Sequence, residues 1–249
     1  ALFSRRFWPL KLLSLAGFGV ALYLFFPYMD DLQPNRWPDS NAFFQWRTGD
    51  ATDRAELIVQ RGEACFDAPF ILPTEGFIGL LYDDPRGPYS TSAPHQGIDI
   101  FSEAQPGITP IYAAYDGYIT RESGWTSTLI QRVPDAPLQP GRQIWLYYTH
   151  MADRDGNDFI VEAFPRGASE VFVEQGTLLG YTGDFNGNSP RNIWTHLHFS
   201  IVKDNGRGQY LNELDFDNTI DPSPYFSMPL SYRCVPYSTG CSENPVWEG

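Results

Sequence analysis

From about Phe70 to Phe226 the chain is written in short runs of β-branched, aromatic and aliphatic residues, each cut off by Gly or Pro turns. This texture sets the strongest limit on what it can fold into. PIYAAYDGYITRES, RQIWLYYTHM, EVFVEQGTLLGYTG and WTHLHFSIVKD are the clearest runs, rich in the residue types that fit a pleated, half-buried surface. Apolar residues at helical spacing are almost absent there, so a helix would have no apolar stripe to bury. The expectation is a mainly β domain, an antiparallel sheet or sandwich with long loops. VPDAPLQPG reads as one of those loops, joining two strands of a hairpin.

The segments outside that stretch read differently. SRRFWPLKLL carries Arg5, Arg6 and Lys11, and the run from Leu12 to Met29 then has no charge. Its length matches a bilayer, since 18 helical residues span about 27 Å. Trp8 and Tyr28 sit at interfacial positions, and Asp30 and Asp31 follow at once. The basic flank comes first, which predicts an uncleaved N-terminal transmembrane helix with a cytoplasmic N-terminus and an extracytoplasmic C-terminal domain. Gly17 and Ala21 give a small-xxx-small spacing through which another membrane protein can approach. The expected organisation is a basic flank and anchor over 1–29, a membrane-proximal stalk over 30–69 that leans on the domain, the β domain over 70–226 and an irregular tail over 227–249. Within the stalk, DRAELIVQR is a short helical candidate.

Charge narrows the partners. Seventeen basic against 30 acidic residues leave a net charge of −13, and no basic stripe appears beyond residue 11, which excludes nucleic acid as a partner. Three cysteines, Cys65, Cys234 and Cys241, suit an exported protein with one disulfide and one odd thiol. Cys234 with Cys241 closes a small turn-rich ring, and Cys65 with either is the rival pairing.

Histidine carries the chemistry. The chain has four: His95 in PHQGIDIF, His150 in YYTHM, and His196 and His198 in WTHLHFS. A strand points residues i and i+2 to the same face, so His196 and His198 can converge on one point. His95 and Asp99 would stand about 13 Å apart in an extended strand, but Gly97 between them permits a bend. With one histidine of HLH, they make three protein ligands and an open fourth position, the arrangement catalytic zinc requires.

HQGID, YAAYDGYI, YYTHM, EQGTLLGYTG and HLHF, in that order, resemble the lysostaphin/LytM-type zinc metalloendopeptidases, which cut peptide cross-links of bacterial peptidoglycan. The resemblance spans roughly Pro73 to Phe226 and implies the duplicated hybrid motif fold. Carried over residue by residue, it makes His95, Asp99 and His198 the zinc ligands, and His150 and His196 the catalytic histidines that do not bind metal. Such histidines can accept the proton of the attacking water, stabilise an oxyanion or protonate the leaving amine. Two departures stand out. Ser200 occupies the position after HLHF where the family has an acid, and the stretch between His150 and His196 is longer, with DRDGNDFIVEAFPRGA as the inserted part.

Two other readings compete. A peptidase-like scaffold or accessory subunit of a membrane complex would share this fold without hydrolysis. A zinc D-Ala-D-Ala carboxypeptidase would place its histidine and aspartate further apart than the four positions between His95 and Asp99. DRDGND imitates a calcium loop through Asp153, Asp155 and Asn157, but Asp158 stands where such a loop needs glycine, so the segment reads as a solvated acidic turn.

Overall fold

The β-rich runs become ten strands among the residues that the computed structural model describes, 45–59, 65, 67–85, 94–187, 189 and 192–232. The expected anchor, most of the expected tail, and Cys234 and Cys241 lie outside the described residues. Among the described residues, no helix is long and apolar enough to cross a membrane.

Eight strands form one sheet, antiparallel throughout. In chain order they are β1 (Phe77–Leu80), β2 (Ile98–Phe101), β4 (Gly117–Thr120), β5 (Leu129–Val133), β6 (Ile144–Thr149), β7 (Val171–Val173), β9 (His196–Lys203) and β10 (Thr219–Ile220). Their spatial order is β1-β2-β9-β6-β5-β4-β7, with β10 added to β9. The other two strands, β3 (Pro110–Tyr112) and β8 (Leu178–Tyr181), pair as a separate ribbon. Two of the runs read from sequence therefore split. PIYAAYDGYITRES supplies β3 to the ribbon and β4 to the sheet, and EVFVEQGTLLGYTG supplies β7 to the sheet and β8 to the ribbon. A tight Gly/Asp or Gln-Gly turn within each run is what lets the chain change layers.

The ribbon covers one face of the sheet. Ile111 of β3 and Leu179 of β8 are fully buried in the main core cluster with Leu129, Leu146, Leu197, Phe199 and Ile201 of the sheet. Tyr148 brings a hydroxyl into this core, where it donates to Gln131 Oε1 at 2.8 Å and accepts from the Ala114 N–H at 3.0 Å. Both polar groups are thus satisfied without water.

The connection VPDAPLQPG does join an antiparallel pair, β5 and β6, and Asp135 Oδ1 accepts from the Gly141 N–H at 2.6 Å to close it. The longer insertion after His150 is held by the buried Arg121, which donates to the carbonyls of Phe164 and Thr126 and pairs with Asp158 at 3.0 Å. Within it, the Asp153 carboxylate accepts from the backbone of Asp155 and Asn157 and from the Asn157 side chain, as an acidic turn does.

The helix expected over DRAELIVQR is shorter and earlier. Helix α1 covers Ala51–Ala55, with Asp50 as its N-cap in a capping box with Asp53. Glu56 and Leu57 form a turn, and Val59 instead bridges Gly76 beside β1. A capped start outweighs the intrinsic preference of the following residues, and Val59 gains more by burial against the sheet. Just before α1, Trp46 stacks on Phe77 at 5.1 Å in a small cluster with Phe101. Trp46 thus packs on the β1–β2 edge. After β10, helix α2 (Ser223–Phe226) closes the core with Tyr225 and Phe226.

Candidate metal centre

Strand β9 is the frame of the site. All of its residues but Lys203 are buried, because β2 flanks it on one side and β6 on the other. The pleat sends Leu197, Phe199 and Ile201 into the main core. His196 and His198 therefore share the opposite face, as their alternate positions demand. In register, Asp99 of β2 lies across from His198 and Phe101 across from His196, while Thr149, just before His150, pairs with His198 from the β6 side. Three strands remote in sequence thus bring the residues to one place.

Residues 96–97 bend immediately before β2, and His95 Nε2 comes to 3.2 Å from Asp99 Oδ1. Gly97 serves this bend sterically: a Cβ there would meet the Phe199 carbonyl oxygen at 2.2 Å. Gly183, at the end of EQGTLLGYTG, has the same kind of role. A Cβ there would lie 2.1 Å from the Ala152 carbonyl oxygen and 2.5 Å from that of His150, and Gly183 bridges His196. His150 itself has a φ of 71°, a left-handed conformation that a non-glycine residue adopts at a cost and that recurs at functional sites.

Each of the four imidazoles has one nitrogen tied to an oxygen that can only accept. The carbonyl of Leu81 takes the Nδ1–H of His95 at 3.0 Å. That of Phe185 takes the Nδ1–H of His150 at 2.7 Å, and that of Trp194 takes the Nδ1–H of His196 at 2.6 Å. The fourth acceptor is a carboxylate: Glu213 Oε1 lies 2.9 Å from His198 Nε2. A carbonyl cannot donate, so the tautomers follow, and the remaining lone pairs belong to Nε2 of His95, His150 and His196. For His198 the inward atom is Nδ1.

Three of the inward donors close a triangle with edges of 3.1 Å (His95 Nε2 to His198 Nδ1), 2.8 Å (His198 Nδ1 to Asp99 Oδ1) and 3.2 Å (His95 Nε2 to Asp99 Oδ1). A tetrahedral site with bonds of about 2.0–2.1 Å to nitrogen has edges of roughly 3.3–3.4 Å. The donor set and its spacing therefore suit a small cation, and these three residues can hold a metal ion. Beside the triangle, the His150 and His196 rings stand 4.5 Å apart, and His196 Nε2 is 3.7 Å from Asp99 Oδ2.

The electrostatics separate these roles. Burial pushes the Asp99 carboxyl up, but the surrounding imidazoles His95 and His196, with hydrogen bonds from His198 and His95, hold it well below the usual carboxylate range. His198 is opposed by burial yet pushed up to about 10 by its hydrogen bonds to Asp99 and Glu213. The centre thus favours positive charge, carried by a proton when no metal is bound. His150 goes the other way, to about 3, through burial and the neighbouring His196. Burial also lowers His196, against the pull of Asp99. Both stay neutral at ordinary pH, as proton acceptors must.

A cleft of about 430 Å³ opens along the residues just before β9, lined by Trp194 and Thr195 with Trp46, Arg54, Glu103, Arg154 and Asp184; none of the five site residues lines it. Arg54 pairs with Glu103 at 2.8 Å and Arg154 with Asp184 at 2.6 Å.

The fold thus gathers all five residues singled out in the sequence, with His95, Asp99, His196 and His198 buried and His150 half-buried beside them. Glu213 is the one that sequence reasoning missed. It lies in NELDFDN, with no periodicity or motif to mark it, and only the course of the chain after β9 brings it to His198.

No family model matches the sequence, and no curated protein is significantly similar to it. Among solved structures, the chain is similar to the catalytic domain of the antimicrobial peptidase lysostaphin from Staphylococcus simulans, with 20% identity, 59% of this chain and 90% of that one covered, and a TM-score of 0.37. It is similar to a putative glycyl-glycine endopeptidase LytM from Ruminococcus gnavus, with 22% identity, 75% and 69% covered, and a TM-score of 0.38. A zinc-containing peptidase from Vibrio cholerae is matched at 18% identity, with 61% of this chain but only 38% of that one covered, and a TM-score of 0.35.

Proposed function

We propose that the chain is a zinc metalloendopeptidase of the lysostaphin/LytM type that hydrolyses peptide cross-links of bacterial peptidoglycan, held at the membrane by its N-terminal apolar run. One observation carries the reading of the site. Four imidazoles are each locked at one nitrogen, the inward nitrogens of His95 and His198 meet Asp99 within 4.8 Å of one another, and the rings of His196 and His150 stand beside them. The ordered motifs around these residues support the family and the substrate class.

In this reading His95, Asp99 and His198 hold zinc, which when bound supplies a Lewis acid for the scissile carbonyl and lowers the pKa of water. His150 and His196, neutral and with Nε2 free to accept, take the proton of the attacking water and return it to the leaving amine. Their Nδ1–H bonds to Phe185 and Trp194 fix the rings against rotation, so the proton moves through Nε2 alone. The cleft along Trp194 and Arg154 receives the peptide, and the sheet beneath keeps the reacting centre rigid. The anchor rests on the uncharged run Leu12–Met29 behind its basic flank. The disulfide of this reading joins two of Cys65, Cys234 and Cys241, of which Cys65 is buried.

The test is release of soluble peptides from purified cross-linked peptidoglycan by the full chain, followed by chromatography. Release should stop on chelation, return with zinc, and be absent from His150→Ala. Release that persists in His150→Ala would overturn the assignment.

A further inference from the structure

The acid that the HLHF motif lacks at its next position arrives from elsewhere in the chain. Ser200 is fully buried on the His198 face of β9, and its Oγ donates to Glu213 Oε1 at 3.2 Å. The same oxygen takes the His198 Nε2–H at 2.9 Å. We infer that Glu213 is the positioning residue of the metal centre, which fixes the His198 ring through Nε2 so that Nδ1 points at the metal, with Ser200 holding the carboxylate in place. This rests on the metal-centre reading above and extends it to a residue outside the motif.

The geometry favours this role over a chance contact. Glu213 is only 8% exposed, and a carboxylate so buried without partners would be strongly penalised. The loop that carries it is tied on both sides. Gln96, next to His95, donates to the Leu214 carbonyl at 3.2 Å. Asn218 donates to the Asn212 carbonyl at 3.0 Å, and the chain then re-enters the sheet as β10 beside β9. Ser200 also packs closely on the bend that carries His95: a Cβ placed on Gly97 would lie 2.8 Å from the Ser200 Cβ.

Charge balance points the same way. A divalent cation with Asp99 as its only anionic ligand leaves one positive charge in a buried site. Glu213, one imidazole away, neutralises it and makes His198 a stronger donor, as carboxylate–histidine–metal triads do.

The experiment is zinc affinity of the full chain by competition with a chromophoric chelator, with cobalt(II) absorption as a second readout and thermal unfolding of the metal-free protein as a control. Glu213→Gln keeps an acceptor but loses the charge, and should bind zinc about tenfold more weakly; Glu213→Ala should lose about a hundredfold. The cobalt band should shift in both, and Ser200→Ala should weaken binding by a few-fold. Folded Glu213 variants that bind within about twofold of the wild type, with an unchanged cobalt band, would overturn the role of Glu213 alone. A wild-type chain that binds neither metal would overturn the metal-centre reading instead. If Glu213→Ala does not fold, Glu213→Gln and Ser200→Ala decide: weaker binding supports the inference, and unchanged binding rejects it.

Discussion

The two faces of β9 are almost equally buried and chemically opposite. Leu197, Phe199 and Ile201, each 0% exposed, pack into the main core, where Phe199 meets Tyr148 at 5.2 Å and Phe226 at 5.6 Å. His196, His198 and Ser200, at 5%, 4% and 0%, face a cluster of charges and fixed hydrogen bonds. The apolar face stabilises the fold by leaving water. The polar face breaks even at best, because each buried polar group must recover in the protein what it lost from water. A cation among His95, Asp99 and His198 would help it do so, since Asp99 and Glu213 both face those imidazoles. One strand therefore carries the scaffold on one side and the chemistry on the other.

Variants can separate the faces. The largest effect is expected from His150→Ala, which should lower peptide hydrolysis by about 10²–10⁴-fold, the usual share of a general acid–base group. Zinc affinity should stay within about twofold, since His150 lies outside the ligand triangle. Steady-state rates beside chelator competition would check both, and a parallel loss of zinc would merge the two sets of histidines that the geometry keeps apart. Next comes Phe199→Ala on the other face, which should cost about 3–5 kcal/mol through a cavity between Tyr148 and Phe226. Chemical denaturation measures this loss, and the folded fraction should still bind zinc; if it does not, the faces are not independent.

Metal removal should have a smaller effect on stability. A site saturated at a hundred times its dissociation constant adds about 2.7 kcal/mol. Chelation should therefore lower the melting temperature by several degrees, at about 2–4 °C per kcal/mol for a domain of this size. An unchanged calorimetric midpoint would mean that the metal contributes nothing to the polar face.

The smallest effect concerns one proton. The folded pKa of His198, about 10, lies above the ordinary 6.5. Its contribution to the metal-free protein is thus present in full below the unfolded value and lost as pH rises through the folded one. Zinc must displace this proton. Its affinity should rise about tenfold per pH unit between about pH 6.5 and 8.5, with close to one proton released, measurable by calorimetry in buffers of different ionisation enthalpy. A pH-independent affinity would place the proton elsewhere.

Much of this was legible in the sequence, and the part that was not has a local cause. The run WTHLHFS announces both a strand and two histidines on one face, because a period of two fixes faces wherever the strand is placed. HQGID announces a bend, although the glycine proves necessary for the passage of the Phe199 carbonyl rather than for an unusual φ. The run PIYAAYDGYITRES announces β structure but not that its halves belong to different layers. DRAELIVQR announces a longer helix than the chain forms, because the Asp50 cap and the burial of Val59 outweigh the helix preference of its middle.

By itself, the sequence determined the β character of the domain, the five side chains that the fold gathers into the candidate site and the face of the strand on which His196 and His198 stand. These depend on residue type and on a repeat of two, and both are properties of neighbours. The tertiary structure alone decided that Asp99 lies across from His198, that three carbonyls and one carboxylate fix the imidazole tautomers, and that Glu213 fills the place an acid at position 200 would take. His95 and His198 are 103 residues apart. Contacts over such distances are set by strand pairing and by the space left between packed backbones, neither of which leaves a periodic trace in the chain.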